Sequence, residues 1–272
     1  MLKIKHIVLG LVVALVLSSC SGFQKTLNKG TAAEQYTLAT ELYEEGKYNK
    51  SIQLFEKIIP HYRGKPQMER IQFMYSKANY ESKSYLLSAY HFEKFVKNYP
   101  RSSKKEEAAF LSAHSYYLSI PRSSLDQSDT QTAITSFQRF IDTYPQSDKI
   151  AEANEYIKIM QLRLEKKGFD IAYNYYHREQ YKSAVTAFDN YLSDNLGTSY
   201  KEDALYYKSK AAYFLAMKSV AAKKEARIKM ALKAIDRIER NFKDTKYKKD
   251  LLKLRANLEK EKLNISTTTT KN

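Results

Sequence analysis

One helical pattern recurs along this chain, and it restricts the fold more than any other feature. Placing Tyr48–Tyr62 on Tyr85–Tyr99 aligns Tyr48 with Tyr85, Ser51 with Ser88 and Ile52 with Ala89. It also aligns Phe55-Glu56-Lys57 with Phe92-Glu93-Lys94, and Tyr62 with Tyr99. A third copy carries Ala133-Ile134, Phe137, Phe140-Ile141 and Tyr144. A fourth carries Tyr181, Ala184-Val185, Phe188 and Tyr191-Leu192, and a weaker fifth Ala234-Ile235, Ile238 and Phe242. The step from a small apolar residue to Phe and on to the next apolar residue is three or four positions, which is helical. A second helix precedes each of these. It carries Tyr36, Ala39 and Tyr43 in the first copy, Phe73, Ser76 and Tyr80 in the second, and Phe169, Ala172 and Tyr176 in the fourth. A unit of this kind cannot bury its own apolar face and must stack on its neighbours.

Helix, turn and helix in about 34–37 residues resembles the tetratricopeptide repeat (TPR). The expected fold class is therefore all-α, a TPR superhelix of about five helix-turn-helix pairs within residues 32–262. Tyr99-Pro100-Arg101-Ser102 and Tyr144-Pro145-Gln146-Ser147 stand at equivalent places, Pro to stop one helix and Ser to cap the next. Two intervals are irregular. Phe92 to Phe137 holds extra residues around 121–129, read as a loop with a cap at Asp129. Phe137 to Phe188 is longer still, read as one long helix from Ile150 to Lys167 running towards Gly168. Composition agrees with an α fold. The 272 residues include only 7 Gly and 5 Pro, too few turn formers for a large β-sandwich.

The N-terminus reads as an export signal. Lys3 and Lys5 precede an apolar run, Ile7 to Leu17, that is too short for a permanent span. Leu17-Ser18-Ser19-Cys20 resembles a bacterial lipobox. The resemblance implies removal of residues 1–19 and acylation of Cys20, with several chains on one residue giving stable anchoring. No acidic residue directly follows Cys20, which in lipoproteins of this kind favours the outer membrane. The expected organisation is signal peptide 1–19, lipidated tether 20–31, N-terminal repeats 32–145, C-terminal repeats 146–262 and a disordered tail 263–272.

No catalytic constellation emerges. Cys20 is the one cysteine, so an intrachain disulfide or a cysteine-based zinc site is excluded. The five His lie apart, without HxxxH or HExxH spacing, and no GxSxG, Walker or GxGxxG segment occurs. The reading is no enzyme, no cofactor and no metal. Glu106-Glu107 and Glu202-Asp203 fall at helix starts, where acids favour the helix dipole. The formal net charge is +16, and residues 201–262 hold 19 Lys and Arg against 9 Asp and Glu. Nucleic acid is not the expected partner of an exported protein. A solvated face, anionic headgroups or an acidic partner remain.

Several segments are similar to the BamD family of outer-membrane lipoproteins of β-barrel assembly. They are Tyr144-Pro145-Gln146-Ser147-Asp148, Phe169-Asp170-Ile171-Ala172-Tyr173-Asn174-Tyr175-Tyr176, Gln180 to Val185 and the loop Asp126 to Asp129. The likeness spans about residues 20–245, and the lysine-rich stretch 218–262 fits it least. It implies a non-catalytic scaffold at the outer membrane, lipid-anchored, with its body in the periplasm. The implied partners are a BamA-like barrel protein, whose POTRA domains the C-terminal repeats would bind, and the C-termini of unfolded outer-membrane proteins. In a TPR array the first helices line the concave face. That face is expected to carry Tyr36, Thr40, Tyr43, Phe73, Lys77, Tyr80, Ala113, Tyr116 and Tyr117, with Arg63, Arg70 and Lys77 for a terminal carboxylate. The competing reading is a TPR adaptor lipoprotein organising peptidoglycan or a secretion machine.

Overall fold

A computed structural model describes residues 22–123 and 125–269. The expected signal peptide, residues 1–19, and the expected lipidation site Cys20 lie outside the described residues. Among those described there are twelve helices and no strand. They are α1 (22–29), α2 (Ala32–Glu44), α3 (Tyr48–Tyr62), α4 (Met68–Glu81), α5 (Tyr85–Asn98), α6 (Lys105–Ser119) and α7 (Ser128–Thr143). After these come α8 (Ile150–His177), α9 (Tyr181–Asp194), α10 (Lys201–Met217), α11 (Ala221–Asn241) and α12 (Lys248–Thr269). Helices α2 to α11 form the five expected pairs, so the all-α repeat architecture stands.

Two kinds of turn repeat along the chain. Within a pair, the first helix closes on a left-handed residue: Gly46 (φ 73), Lys83 (φ 65) and Glu179 (φ 57). The following amide reaches back five residues, from Lys47 N to Leu42 O, Ser84 N to Asn79 O and Gln180 N to Tyr175 O, at 2.8–2.9 Å. This is the Schellman closure, and only the first copy uses glycine for it. Between pairs, Ser102, Ser147, Thr198 and Thr245 each accept the amide two residues on, at 3.1–3.2 Å. Ser102 and Ser147 therefore build the turn, and neither is the N-cap of the helix that follows.

Small residues let the helices of a pair approach. Ser51 Oγ donates to Ala39 O at 2.7 Å, and Ser88 Oγ to Ser76 O at 3.2 Å. Both serines and Ala39 are fully buried. The large residues fill the space to the next pair, and Phe55, Phe92, Phe137 and Phe188 are all 0% exposed.

The chain divides into two compact units, one ending at Lys158 and the other starting at Ile159. The division falls inside α8. In the first unit Tyr156 lies 5.2 Å from Phe137 and 4.9 Å from His114. In the second, Phe169, Ala172, Tyr173 and Tyr176 belong to the core built around Phe188.

Four local expectations differ from the structure. Gly168 does not end the long helix, because α8 runs unbroken to His177. A Cβ at Gly168 would stand 3.0 Å from Cδ2 of Tyr191, so the glycine serves close approach. Asp129 is not a cap; it lies in the first turn of α7, whose N-cap is Gln127. Buried Gln127 organises the preceding loop, its Nε2 lying 3.1–3.4 Å from the carbonyl oxygens of Pro121, Arg122, Leu125 and Asp126. Residues 22–29, assigned to a tether, are helical. Phe23 and Leu27 pack on the α2–α3 core, and Gln35 Nε2 donates to Thr26 O and Leu27 O at 3.1 Å. Residues 263–269, assigned to a tail, continue α12, and Ile265 packs against the second unit's core.

Candidate functional site

In the first unit the first helices of successive pairs, α2, α4 and α6, and the start of α8 present one aromatic face that carries both cations and carboxylates. A capping box starts α2, with Glu34 N donating to Thr31 Oγ1 (3.2 Å) and Thr31 N to Glu34 Oε2 (2.7 Å). Tyr36, Thr40 and Arg70 then line one concavity of about 460 Å³ with Glu41, Glu44 and Glu45. Tyr36 packs on Tyr62 (5.6 Å), and Thr40 Oγ1 donates to Tyr36 O. Tyr43, Arg70, Phe73 and Lys104 line a second concavity beside it. Burial pushes the Tyr43 phenol well above its ordinary value, and Tyr48, Glu44, Glu81 and Glu107 add to the rise.

Along α4 and α6 the face continues. Phe73 meets Phe92 and Phe95 edge-on, at 5.8 and 5.4 Å, with the Lys104 ammonium 5.5 Å from its ring. Lys77 pairs with Glu107 at 3.5 Å, and Lys104 reaches the same carboxylate at 2.8 Å. Partial burial alone would raise the Glu107 carboxyl, but the bonds and charges of Lys104 and Lys77 outweigh it and hold it low. Tyr80 OH and His114 Nδ1 are 2.7 Å apart. Rings then follow in series: Phe110 on His114, His114 on Tyr117, and Tyr117 on Tyr156 at 4.6 Å. Tyr156 OH donates to Glu152 Oε1 (3.2 Å), and burial with that carboxylate pushes its phenol up to about 12. Burial lowers the His114 imidazole, and Glu152 only partly opposes it.

Eight of the eleven expected groove residues thus share this face: Tyr36, Thr40, Tyr43, Arg70, Phe73, Lys77, Tyr80 and Tyr117. Three do not. Tyr116 bonds the Glu93 side chain on α5 and lies near Arg139 on α7, since successive residues on a helix point about 100° apart. Arg63 lines a separate concavity with Tyr75, His91 and Lys94. It follows the end of α3, the second helix of its pair, and second helices present the other side. The sequence reading takes His114 as groove-lining or packed, but it missed Glu107, Phe110 and Tyr156 as parts of the face. The register on α6 is Glu107, Phe110, His114 and Tyr117, and Ala113, expected on the face, is wholly buried between helices. The i, i+3, i+7, i+10 spacing carried that signal.

The concavity around Arg63 yields a pH prediction. His91 packs edge-on against Tyr75 at 4.6 Å, and burial, with the Lys94 charge, pushes its imidazole down to about 4. The unfolded ring takes a proton as pH falls below about 6.5, while the native ring resists it. Its contribution is complete above that pH and declines by up to about 1.4 kcal/mol per pH unit on the way down. Urea midpoints are expected to fall from pH 7 to pH 5, and less steeply in His91→Gln. Parallel profiles would refute the assignment.

In the second unit Phe169, Tyr173, Tyr176 and Tyr207 cluster on Phe188, and Tyr206 stacks face to face on Tyr247 at 3.6 Å. Helix-start acids tie the helices together. Glu202 accepts from Thr245 Oγ1 (2.6 Å), and Asp203 accepts from Tyr247 OH (2.5 Å) and pairs with Lys246 (2.6 Å). Among the described residues no group of three His, Cys, Asp or Glu is placed to hold a metal.

The model of the YfiO family, described as outer membrane lipoprotein, matches residues 28–228. The chain belongs to that family. Curated relatives in this BamD-type group are similar over most of their length. The outer membrane protein assembly factor BamD of Haemophilus influenzae is 21% identical over 221 residues, 78% of this chain and 84% of the relative. That of Rickettsia prowazekii is 26% identical over 212 residues, covering 75% and 82%. The putative BamD of Aquifex aeolicus is 25% identical over 220 residues, covering 78% and 69%.

Proposed function

We propose that this family member acts in outer membrane protein assembly as a non-catalytic scaffold. Acyl chains on Cys20 hold it to the membrane with its body in the periplasm. The second unit docks on the POTRA domains of a BamA-like barrel protein. The aromatic face of the first unit receives the C-terminal segments of unfolded outer-membrane proteins. The family and the names of the relatives support the general role. The observation that carries the peptide site is the row of rings Tyr36, Tyr43, Phe73, Tyr80, His114 and Tyr117, with Arg70 beside Glu41, Glu44 and Glu45, and with Lys77 and Lys104 sharing Glu107. Tyr offers broad contact area and a hydroxyl at small entropic loss, and a cation meets a terminal carboxylate.

The test is fluorescence anisotropy with a labelled peptide ending in a carboxy-terminal aromatic residue. Tyr36→Ala combined with Tyr80→Ala is expected to weaken binding about tenfold or more, since each aromatic anchor carries on the order of 1 kcal/mol or more. Unchanged affinity in a protein with native circular dichroism would remove the peptide site. A tagged chain captured from gently solubilised outer membrane is expected to bring a POTRA-bearing barrel protein. Peptidoglycan or secretion components in its place would overturn the assembly role.

A further inference from the structure

We propose that the outward face of α12 is a contact surface for an anionic lipid bilayer. Helix α12 buries Leu251, Leu254 and Leu258 against the second unit's core. Its opposite face carries Lys249, Leu252, Lys253, Ala256, Lys260 and Leu263, all exposed. At 3.6 residues per turn these six fall within an arc of about 100°, along about 21 Å of helix. Leu252 is 55% exposed and Leu263 66%, three turns apart on this face.

The charge on this face is not neutralised from within. Asp250 accepts from Tyr206 OH (2.5 Å) and faces Lys210 (3.5 Å), and Glu261 pairs with Lys224. Glu259, at the edge of the arc, lies 3.9 Å from Lys262. Elsewhere in the unit Arg255 binds Asp236 and Glu239, Lys246 binds Asp203 and Lys208 binds Asp189. Lys249, Lys253 and Lys260 have no ion-pair partner among the described residues. The lysine excess of the C-terminal quarter thus reaches solvent on α12 beside two leucines.

Leucine side chains can enter the acyl boundary while lysine stems lie along it and raise their ammonium groups to the phosphates. Each lysine near an anionic surface adds attraction that salt screens. A second copy of this chain would set lysine against lysine. An outer membrane lipoprotein works beside a bilayer, and no helix among the described residues is long and apolar enough to cross one. Peripheral contact through α12 meets both conditions.

The experiment is co-sedimentation of the chain from Ser21 onward, which lacks the acyl-bearing Cys20. The vesicles are phosphatidylethanolamine mixed with phosphatidylglycerol, or phosphatidylcholine alone. Partition onto the anionic vesicles is expected to exceed that onto phosphatidylcholine by about tenfold and to fall with added salt. Lys249→Gln with Lys253→Gln and Lys260→Gln should remove most of the difference. Leu252→Ser with Leu263→Ser should weaken binding at every salt concentration. All five side chains are exposed, so native circular dichroism is expected in both variants. Equal partition onto the two vesicle types, no partition at all, or variants that bind as the parent does would overturn the proposal. Capture of an acidic protein without vesicle binding would overturn it too.

Discussion

Phe188→Ala is expected to lower the stability of the second unit by about 3–5 kcal/mol, the usual loss for a wholly buried aromatic ring. Phe188 is 0% exposed and sits between Phe169 (5.9 Å) and the parallel ring of Tyr207 (6.4 Å). Those rings come from α8 and α10, so the cavity would open where one pair meets the next. In a repeat array this interface supplies the coupling between neighbours. Guanidinium unfolding followed by circular dichroism should show an earlier transition for that unit. Phe92→Ala makes the same cavity in the first unit, where Phe92 is equally buried. A parental unfolding midpoint in Phe188→Ala would mean that the ring does not bridge the pairs.

Ser88→Leu is expected to be nearly as damaging, for the opposite reason. Ser88 is fully buried, donates to Ser76 O at 3.2 Å and lies 3.1 Å from Ser115 Oγ. It therefore stands where α4, α5 and α6 come together. Ser88→Ala removes both of these contacts, at about 1 kcal/mol per hydrogen bond. Ser88→Leu adds overpacking of about 1–3 kcal/mol to that loss. Thermal melts of the two variants separate the effects. A leucine variant no worse than the alanine variant would show that the helices need no small residue there.

The repeat was legible because it is local. Small residues, Phe and Tyr recur at helical spacing, and the five helix pairs follow from that spacing, whereas α1 and α12 do not. The turn residues were partly legible. Gly46 is an ordinary left-handed closure, but Lys83 and Glu179 adopt the same conformation without glycine, and no sequence rule selects them. The proposed peptide face was legible on α2 and α4, where Tyr36, Tyr43, Phe73 and Tyr80 keep one register. On α6 the adjacent Tyr116 and Tyr117 both look aromatic, and only packing against Glu93 or Tyr156 separates them.

By itself the sequence determined that this chain is a stack of helix pairs with its surplus positive charge at the C-terminal end. Periodicity and net charge are properties of the chain, independent of how it packs. Tertiary structure alone decided that Gly168 stands inside α8 for close approach and not at its end, since the Tyr191 ring it makes room for arrives from another helix. It also decided which lysines remain unpaired. An ion pair such as Lys246 with Asp203 joins residues far apart in sequence, and three-dimensional proximity is what neutralises a charge.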